Sequence, residues 1–342
     1  MLPLVTVCIP TYNGGRYIRQ SVESVLSQTY HNLEIIIVDD QSQDETVRIV
    51  EEYACRDSRI RIHLNERNLG LVSNWNHCVA LASGTWLKFV FQDDQIQPEC
   101  IELMLKAADD RSPLVVCARK FEYEEDVSDR VRRMYNEFET VKTLRTKFPG
   151  GGLISPQQFG DKFLDHPIEN WIGEPTSTLI HQSAFHRFGL FNPSLASLCD
   201  WEYWARIGVN SGLYYIDYTG ATFRVHEQSE SGKYRAHAHY RTLYIDPLIV
   251  RYEIAYGLAY APVRALAAQR RPPMNLIQSL LYEARDARLR AEAYAYDPIV
   301  PDHGPLSEWV RAAREYPEFR SVPMNYVLDW VRRRASAIWN WQ

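Results

Sequence analysis

The stretch WLKFVFQDDQIQP, residues Trp86–Pro98, decides the fold that we expect. Its first half is a short apolar run, which is typical of a strand buried on both faces of a sheet. The run leads into two adjacent carboxylates, Asp93 and Asp94, at the end of a strand where open α/β sheets bind their ligands. Because adjacent carboxylates repel each other, a divalent cation bound beside a phosphate explains the pair. The alternative is a solvated acidic turn that closes the strand.

Strands and helices alternate over roughly the first 120 residues. Apolar runs at Leu4–Ile9, Leu33–Val38 and Ile60–Leu64 predict strands, and apolar residues at helical spacing follow them. This alternation predicts an α/β domain with a Rossmann-like, mostly parallel central sheet flanked by helices. The carboxyl ends of parallel strands lie at one edge of a sheet, so we expect the polar residues that follow these strands to converge there. These residues are Tyr12-Asn13, Asp39-Asp40 and Asp93-Asp94.

The rest of the N-terminal part gives less regular patterns. Phe121–Gly152 is charged and irregular, whereas Ser155 followed by a proline predicts the start of a short helix. Asp200 lies at the start of another predicted helix, where a plain N-cap is the simplest interpretation. Leu213–Ile216 and Ala221–Val225 predict two separate strands.

Helical periodicity prevails beyond about Tyr240. We therefore expect an N-terminal domain over residues 1–235 and a helical C-terminal region over residues 236–342. The tail Trp330–Trp341, WVRRRASAIWNW, mixes basic and aromatic residues. It suits a helix that lies on a membrane surface or partner, or a packed terminal helix with an exposed basic face.

Composition and absent motifs narrow the function. The net charge of −5 and the pI near 6.1 argue against a nucleic-acid binder. The six cysteines are scattered without a C-x-x-C pair, which favours free thiols in a reducing compartment. No apolar run approaches the roughly 18 residues that span a bilayer, and we read no leader segment, so we expect a cytoplasmic protein. Neither G-x-G-x-x-G nor G-x-x-x-x-G-K-[ST] occurs, so a dinucleotide site or P-loop is not supported.

Residues Val5–Thr46 resemble the opening of the family-2 glycosyltransferases of the GT-A fold. The matching elements are the P-T-Y-N turn, the S-x-x-S-V-L-x-Q-T-Y helix and the I-I-V-D-D-x-S-x-D-x-T strand and loop. Further along, N-L-G at Asn68–Gly70, FQDDQIQP, CDWEYWARI and FRVHEQS are similar to the family's N-x-G, D-x-D, E-D-x-x-x-W-x-R and R-x-H-x-x-S segments. The matches are collinear from Val5 to Ser229, and the helical C-terminal region lies outside them.

This resemblance implies an inverting glycosyltransferase that takes a sugar from a nucleotide-diphosphate sugar, with a UDP-sugar favoured. It implies that Thr11 and Tyr12 pack around the nucleobase and that Asp39 accepts a hydrogen bond from the base edge. Asp200 matches the catalytic base. The donor half is expected at about residues 1–120, and the implied donor-binding residues are Pro10, Thr11, Tyr12, Asn13, Asp39, Asp40, Asn68, Gly70, Asn76, Gln92 and Asp93.

The same resemblance implies a metal cofactor, Mn²⁺ or Mg²⁺. Asp93 matches the last acidic residue of the D-x-D segment, and Asp94 and His226 are further candidate ligands. A hard cation held by carboxylates offsets the charge on a departing diphosphate, and a carboxylate base takes the proton of an acceptor hydroxyl. This sequence departs from the pattern at three places. Phe91 replaces the first Asp of D-x-D, and Cys199 replaces the Glu that often precedes the base. Asn74-Trp75-Asn76 stands where A-R-N usually follows the N-x-G turn, so the arginine of that segment is missing.

The acceptor half is expected at about residues 121–235, with a hydroxyl of a saccharide or glycolipid as acceptor. Trp171, Glu174 and Trp201 are candidate contacts, because sugars stack on aromatic rings and hydrogen-bond to carboxylates. Cell-surface polysaccharide or lipopolysaccharide assembly is the expected setting by association with the family. The main alternative is a non-catalytic nucleotide-sugar or glycan-binding protein derived from the fold, which the altered D-x-D permits. A pyrophosphorylase would want a basic, glycine-rich loop, and only Gly14-Gly15-Arg16 is present.

Overall fold

The structure is a computed structural model that describes residues 2–108, 112–141, 143–229, 232, 240–298 and 302–321. The chain forms two compact units, Met1–His237 and Ala238–Gln342. The basic and aromatic tail Trp330–Trp341 lies outside the described residues, so its predicted membrane contact stays a prediction.

A nine-stranded mixed sheet is the framework of the N-terminal unit, counted over the residues that the structure describes. Its order is β3-β2-β1-β4-β8-β6-β9-β5, and β7 also pairs with β9. The strands are β1 Val5–Thr11, β2 Leu33–Asp39, β3 Ile60–Leu64, β4 Trp86–Phe89, β5 Gln95–Ile96, β6 Leu114–Tyr123, β7 Gly152–Ile154, β8 Thr178–His181 and β9 Leu213–Val225.

The first four strands of the chain run parallel to one another, because a helix crosses between each consecutive pair. β1 pairs with β2 on one side and with β4 on the other, and β3 pairs with β2. β8 is antiparallel to both of its neighbours, β4 and β6, and β6 is parallel to β9. The carboxyl ends of β1, β2 and β4 therefore share one edge. The predicted fold class, a mixed, mostly parallel sheet flanked by helices with a helical C-terminal region, is confirmed.

The helices of this unit follow the apolar periodicity of the sequence. In α1, residues Ile18, Val22 and Val25 are fully buried against the sheet; burying each such side chain contributes about 1.5–3 kcal/mol. A capping box begins α7, in which the Ser155 hydroxyl accepts from the Gln158 N–H and the Gln158 side chain caps the Ser155 N–H. The helices are α1 Ile18–Leu26, α2 Thr46–Ala54, α3 Leu71–Leu81, α4 Cys100–Ala107, α5 Asp129–Val141, α6 Leu144–Lys147, α7 Pro156–Asp165, α8 Ser183–Phe188 and α9 Cys199–Ser211.

Two sequence-based expectations for this unit are wrong. The segment expected to be irregular, Phe121–Gly152, contains α5 and α6; Val131 and Met134 of α5 pack on the cluster around Tyr135 and Phe223, while Arg130, Arg133 and Glu137 are exposed. The two strands predicted after residue 212 are one continuous strand, because β9 pairs with β6 from Val115 to Tyr123 across an irregularity at Ala118.

The C-terminal unit is helical in its described part. Its helices are Asp246–Tyr256, Ala261–Gln269, Leu276–Ala295 and Gly304–Glu315, with shorter helical turns at Arg241–Ile245, Leu258–Tyr260 and Pro317–Arg320. Small buried residues at three- to four-residue spacing line one face of Leu276–Ala295, among them Ala284 and Ala287. The Tyr240 hydroxyl donates to the Ala287 carbonyl at 2.6 Å. Among the described residues, no helix has both the length and the apolar character needed to cross a membrane.

Candidate active site

A cavity of about 600 Å³ opens at the shared carboxyl edge of β1, β2 and β4. Of the polar residues predicted to converge from three strand ends, Tyr12, Asn13, Asp40 and Asp93 meet here, whereas Asp39 and Asp94 do not line the cavity. Twelve of the predicted site residues line the cavity: Pro10, Thr11, Tyr12, Asn13, Asp40, Asn68, Gly70, Gln92, Asp93, Glu174, Asp200 and His226. The other predicted site residues, Asp39, Asn76, Asp94, Trp171 and Trp201, are not among its lining residues.

Backbone and side-chain bonds join the end of β1 to the turn after β4. The Tyr12 N–H donates to Gln92 Oε1 at 2.8 Å, and Gln92 Nε2 donates to the Tyr12 carbonyl at 3.1 Å. The Tyr12 residue is 44% exposed, which leaves its ring open to a planar ligand. Asn13 has a positive φ of 49° and accepts from the Gln43 N–H at 2.7 Å. This corner therefore fixes the backbone while leaving one aromatic ring free.

Asp39 is buried beneath the cavity and already bonded. Its carboxylate accepts from the Thr11 hydroxyl at 3.0 Å, from the Ser42 N–H at 2.9 Å and from the Ser42 hydroxyl at 2.5 Å. Through these bonds, Asp39 holds the loop after β2 in place. The predicted hydrogen bond from Asp39 to a base edge would have to be shared with them, and it stays a prediction.

Asp40 fastens the turn that precedes α3. Its carboxylate accepts from the Leu69 N–H at 2.7 Å, from the Gly70 N–H at 2.9 Å and from Asn65 Nδ2 at 2.7 Å. Gly70 has a φ of 83°, a conformation that glycine adopts without the strain of a side chain. The amide of Asn68 donates to the Asp40 carbonyl at 2.9 Å. The N-x-G turn is thus built on Asp40, and its residues form one wall of the cavity.

Asp93 and His226 are brought together from positions 133 residues apart. Asp93 Oδ2 and His226 Nε2 are 3.0 Å apart, and the Asp93 side chain is 19% exposed. His226 is buried, its ring lies 4.6 Å from that of Tyr17, and its Nδ1 has no hydrogen-bond partner in the described structure.

One carboxylate and one imidazole fit the metal that the resemblance implies, since Mg²⁺ and Mn²⁺ sites in nucleotide enzymes use few protein ligands and complete their shell with phosphate oxygens and water. The described residues hold no group of three or more His, Cys, Asp or Glu side chains arranged around a metal position. Asp93 and His226 are a pair of side chains at this edge of the sheet that could hold such a cation.

Asp94 does not face the cavity, so the prediction that it helps to bind metal is wrong. It is 1% exposed, and its carboxylate accepts from the Thr176 hydroxyl at 2.6 Å and from the Arg224 N–H at 3.2 Å. Burial, and then the neighbouring charge of Asp93, raise the pKa of Asp94 well above its usual range. The fully buried Lys88 ammonium donates to the carbonyls of Thr176 and Thr178. Asp94 and Lys88 together tie β4 to the turn before β8.

An aromatic pair occupies the position of the missing acidic residue. The Phe91 ring stacks on that of Trp75 with centroids 4.8 Å apart, and Trp75 meets Phe191 edge-on at 5.4 Å. Both Phe91 and Trp75 line the cavity. This wall of the cavity is apolar. Where the family's D-x-D segment has its first carboxylate, this chain presents the ring of Phe91.

Asn76 was predicted to bind the donor, and the structure contradicts that role. Its amide donates to the Phe191 carbonyl at 2.9 Å and accepts from the Phe191 N–H at 3.1 Å. Both polar atoms of the side chain are thereby used to hold the segment around Phe191 against α3.

Asp200 is the second residue of α9 and points into the cavity. Leu198 is the N-cap of this helix, so the plain N-cap interpretation of Asp200 is wrong. The Asp200 carboxylate accepts from the Trp201 N–H at 2.6 Å and from Asn170 Nδ2 at 3.2 Å. Burial, followed by the charge of Glu174, raises the pKa of Asp200 to about 7, and the Trp201 N–H and Arg119 partly offset this rise. A carboxylate with this pKa is suited to accept a proton near neutral pH.

Trp171 and Trp201 are fully buried, with 0% of each residue exposed, so neither ring can stack on an acceptor sugar. Their rings meet edge-on at 5.2 Å, and Trp201 Nε1 donates to the Pro167 carbonyl at 2.8 Å. They form part of the core beneath the cavity. Of the three predicted acceptor contacts, Glu174 alone reaches the cavity.

Three residues of the site were missed from the sequence. Arg224 is 5% exposed; its Nε donates to the Asp93 carbonyl at 3.2 Å, and its Nη1 contacts Glu124 at 3.0 Å. Tyr17 lines the cavity beside His226, and Arg119 pairs with Glu174. Arg224 could have been found, because it is the arginine of the F-R-V-H segment. Arg119 and Tyr17 carry no such signal in the chain.

Comparison with solved structures identifies the class of fold. TarS of S. aureus in complex with UDP-GlcNAc superimposes with a TM-score of 0.59 and 17% identity, covering 93% of this chain and 81% of that chain. The mannosyltransferase PcManGT of Pyrobaculum calidifontis, in complex with GDP-Man and Mn²⁺, gives a TM-score of 0.55 and 18% identity over 92% and 82% of the two chains. The protein has a GT-A-type fold.

Sequence comparison identifies the family. Residues 6–166 match the family model described as glycosyl transferase family 2. The glycosyltransferase GlyG of Streptococcus pneumoniae is 33% identical over 125 residues, which is 36% of this chain and 42% of GlyG. Residues 6–166 of the N-terminal unit therefore match glycosyl transferase family 2, in agreement with the predicted resemblance. The chain spans about two thirds or less of the length of the curated relatives that it matches.

Proposed function

We propose that this protein is an inverting glycosyltransferase that moves a sugar from a nucleotide-diphosphate sugar to a hydroxyl group. The observation that carries the proposal is the presence of Asp200 and of the Asp93–His226 pair in one cavity. Binding a nucleotide sugar requires no proton acceptor, whereas transfer to a hydroxyl does. The pKa of Asp200, about 7, suits that task.

The donor is proposed to lie along the edge formed by β1, β2 and the turn after β4. The exposed ring of Tyr12 offers a face to a nucleobase, and Asn68 and Gly70 bound the same cavity. The structural neighbours are described in complex with UDP-GlcNAc, UDP and GDP-Man, which supports a nucleotide-diphosphate donor. A UDP-sugar stays the favoured prediction.

Asp93 and His226 are proposed to hold Mn²⁺ or Mg²⁺ together with the donor diphosphate. Such a cation, when bound, stabilises negative charge that develops on the departing diphosphate. Neighbouring residues position Asp93 and His226. The Arg224 guanidinium donates to the Asp93 carbonyl, and the Tyr17 ring packs on His226. PcManGT is described with Mn²⁺, which supports a metal in this fold.

Inversion is supported by the state of Glu174, the cavity carboxylate whose charge acts on Asp200. Glu174 lies in an ion pair with Arg119, with 2.5 Å between Glu174 Oε2 and Arg119 Nε. By analogy with glycoside hydrolases, retention through a covalent intermediate would need a carboxylate that is free to act as the nucleophile. Because Glu174 is held in its ion pair, we assign direct displacement, with Asp200 as the base.

The acceptor is proposed to be a hydroxyl of a saccharide or glycolipid, bound on the Glu174 side of the cavity. Assembly of a cell-surface polysaccharide or lipopolysaccharide and a cytoplasmic location, with or without peripheral contact at the inner membrane face, stay predictions.

A thermal-shift panel tests donor class and metal together. UDP, GDP, dTDP and CMP nucleotides are added with and without Mn²⁺ to wild type, to Asp93→Ala and to the control Glu51→Gln, which removes an exposed carboxylate on α2. A ligand at about 100 times its Kd stabilises the folded state by roughly 2.7 kcal/mol. We expect a Mn²⁺-dependent shift with one diphosphate nucleotide in wild type and in the control, and none in Asp93→Ala. A thermal shift that is the same with and without Mn²⁺, and the same in wild type and Asp93→Ala, would contradict the metal site.

The alternative is a non-catalytic binding protein, which predicts the same thermal shifts. A measurement of donor hydrolysis distinguishes it from the enzyme. We expect wild type to hydrolyse its donor slowly in the absence of acceptor and Asp200→Asn to hydrolyse it more slowly still, while both bind the nucleotide equally. Equal, background rates for the two proteins would favour the binding protein.

A further inference from the structure

An ion pair lies next to the proposed base and has no role in the donor site. Arg119 belongs to β6 and Glu174 to the turn before β8, and their side chains are 9% and 22% exposed. The Arg119 guanidinium also lies 5.1 Å from the centre of the Phe121 ring. Glu174 lines the cavity together with Asp200. The electrostatic interaction between two charges at this depth is stronger than that between exposed charges, because water screens it less.

The segment that carries Glu174 is fastened to the helix that carries Asp200. Trp201 Nε1 donates to the Pro167 carbonyl at 2.8 Å, and Trp204 Nε1 donates to the Gly173 carbonyl at 3.0 Å. Asn170 Nδ2 donates to Asp200 Oδ2 at 3.2 Å. The segment from Pro167 to Glu174 therefore keeps a fixed position against the first turn of α9.

Gly173 makes room for the arginine. It has a φ of 109°, and a Cβ atom there would lie 2.6 Å from the Arg119 guanidinium. Any side chain at this position would both strain the backbone and displace Arg119. The glycine is thus a steric requirement of the Arg119–Glu174 pair.

Two charged side chains on neighbouring elements act on the pKa of Asp200. The turn contributes Glu174, whose negative charge favours proton uptake by Asp200, and β6 contributes Arg119, which opposes it. On α9 itself, Glu202 and Arg206 are paired with each other at 2.8 Å. Among the described residues, Glu174 and Arg119 are the charged side chains on neighbouring elements that act most strongly on the pKa of Asp200.

We propose that Glu174 and Arg119 are positioning residues for Asp200, forming a charge pair whose two members drive proton uptake by the base in opposite directions. The inference rests on the proposed function of Asp200. It also gives Glu174 a role other than acceptor binding. Because the two charges act with opposite sign, removing either one has a predictable direction that a purely structural role would not produce.

A direct titration of Asp200 tests the pair without any assay of catalysis. The ¹³Cγ resonance of Asp200 is followed against pH in protein labelled at aspartate and is identified by its loss in Asp200→Asn. We expect Glu174→Gln to move the titration midpoint to lower pH by about one unit, because a like charge is removed. We expect Arg119→Gln to move it to higher pH, and Glu174→Asp and Arg119→Lys to restore the wild-type midpoint.

The matched control is Glu169→Gln. Glu169 is a partly exposed carboxylate of the same segment that pairs with Lys147 at 3.0 Å, and it does not line the cavity. We expect it to leave the midpoint unchanged. Midpoints that stay fixed in both Glu174→Gln and Arg119→Gln, or that move in the same direction, would overturn the inference.

The rate profile gives an independent readout. On the acidic side of the pH profile, kcat should shift in the same direction as the titration midpoint of Asp200. At pH 6 we expect Glu174→Gln to reach about half of its maximal kcat and wild type about a tenth of its own, which is a roughly five-fold gain. If Glu174 bound the acceptor instead, the KM for acceptor would rise and the acid limb would stay in place. If wild type transferred no sugar from any donor, the proposed function would fall, while the titration would still decide the charge pair.

Discussion

Two sides of one cavity are built in different ways. The proposed donor edge, lined by Pro10–Asn13, Asp40 and Phe91–Asp93, consists of residues at or just beyond the ends of neighbouring parallel strands. The proposed acceptor wall is lined by Glu174, Cys199 and Asp200, which come from a turn and a helix start, and it is backed by Asn170 and by Arg119 of β6.

The difference affects what each side can do. On the donor edge, most polar side chains also hold the backbone: Asp39 bonds to the Ser42 loop, Asp40 to the turn at Gly70, and Gln92 to Tyr12. On the acceptor wall, the backbone is held by the indoles of Trp201 and Trp204 from below. Of the two carboxylates there, Glu174 pairs with Arg119, and Asp200 accepts from Asn170 Nδ2 and from the Trp201 N–H. Polar side chains thus hold the backbone of the proposed donor edge, whereas indoles hold much of the backbone of the proposed acceptor wall.

The largest effect is expected at the acceptor wall. Asp200→Asn removes the proton acceptor while keeping the shape of the side chain, so we expect kcat to fall by about 10²–10⁴-fold. Nucleotide affinity should be unchanged, because the donor edge is untouched. Steady-state kinetics and calorimetric titration with the nucleotide measure the two quantities. A loss of affinity equal to the loss of rate would contradict the division between the two sides.

The next effect concerns stability and its dependence on pH. The pKa of Asp200 is raised from 3.8 to about 7 in the folded state, so the folded protein binds a proton that the unfolded chain releases. Wild type should therefore lose stability as pH rises from about 4 to 7, by a few kcal/mol at most. Asp200→Asn should lack this loss, so that its stability relative to wild type is greater at pH 8 than at pH 5. Urea unfolding at the two pH values measures this, and a constant difference would contradict the raised pKa.

A smaller effect is expected at the donor edge. Asp93→Asn keeps the size of a side chain that is 19% exposed, so the fold should be nearly unaffected. We expect the affinity for the diphosphate nucleotide in Mn²⁺ to fall by about 10- to 100-fold, which corresponds to roughly 1.4–2.7 kcal/mol. Without Mn²⁺ the two proteins should bind alike. Isothermal calorimetry with and without the metal provides the measurement, and an equal loss in both conditions would argue that Asp93 contacts the nucleotide itself.

The smallest effect is expected where the two sides meet. Thr176→Val removes the hydroxyl that bonds to Asp94 at 2.6 Å, which leaves a buried carboxyl short of a partner and should cost about 1–2 kcal/mol of unfolding free energy. The exposed Thr140→Val on α5 serves as the control and should cost little. Chemical denaturation compares the two. Equal stabilities would mean that the turn before β8 is held without this bond.

Much of the donor edge was predictable from the sequence because its determinants are local. Short apolar runs separated by helical segments predict parallel strands, and parallel strands place their following residues at one edge. Tyr12, Asn13 and Asp93 were located by this argument and line the cavity.

The errors arose where the partner is distant in sequence. Asp94 bonds to a residue 82 positions away and Asn76 to one 115 positions away. The motifs that contain these two residues therefore gave no sign that their side chains hold distant parts of the backbone instead of binding a ligand. The burial of Trp171 and Trp201 likewise depends on how α7 and α9 pack. The Arg119–Glu174 pair joins two elements whose contact exists only after the sheet has formed.

The bonding of Asp40 has a practical consequence for screening variants of this protein. Because its carboxylate holds three donors of the turn before α3, an Asp40→Ala protein would lose activity through defective folding, with reduced yield and increased protease sensitivity. A loss-of-activity screen would count it as catalytic beside Asp200. Expression level and proteolysis rate, recorded for every inactive variant, distinguish a residue that shapes the site from one that reacts in it.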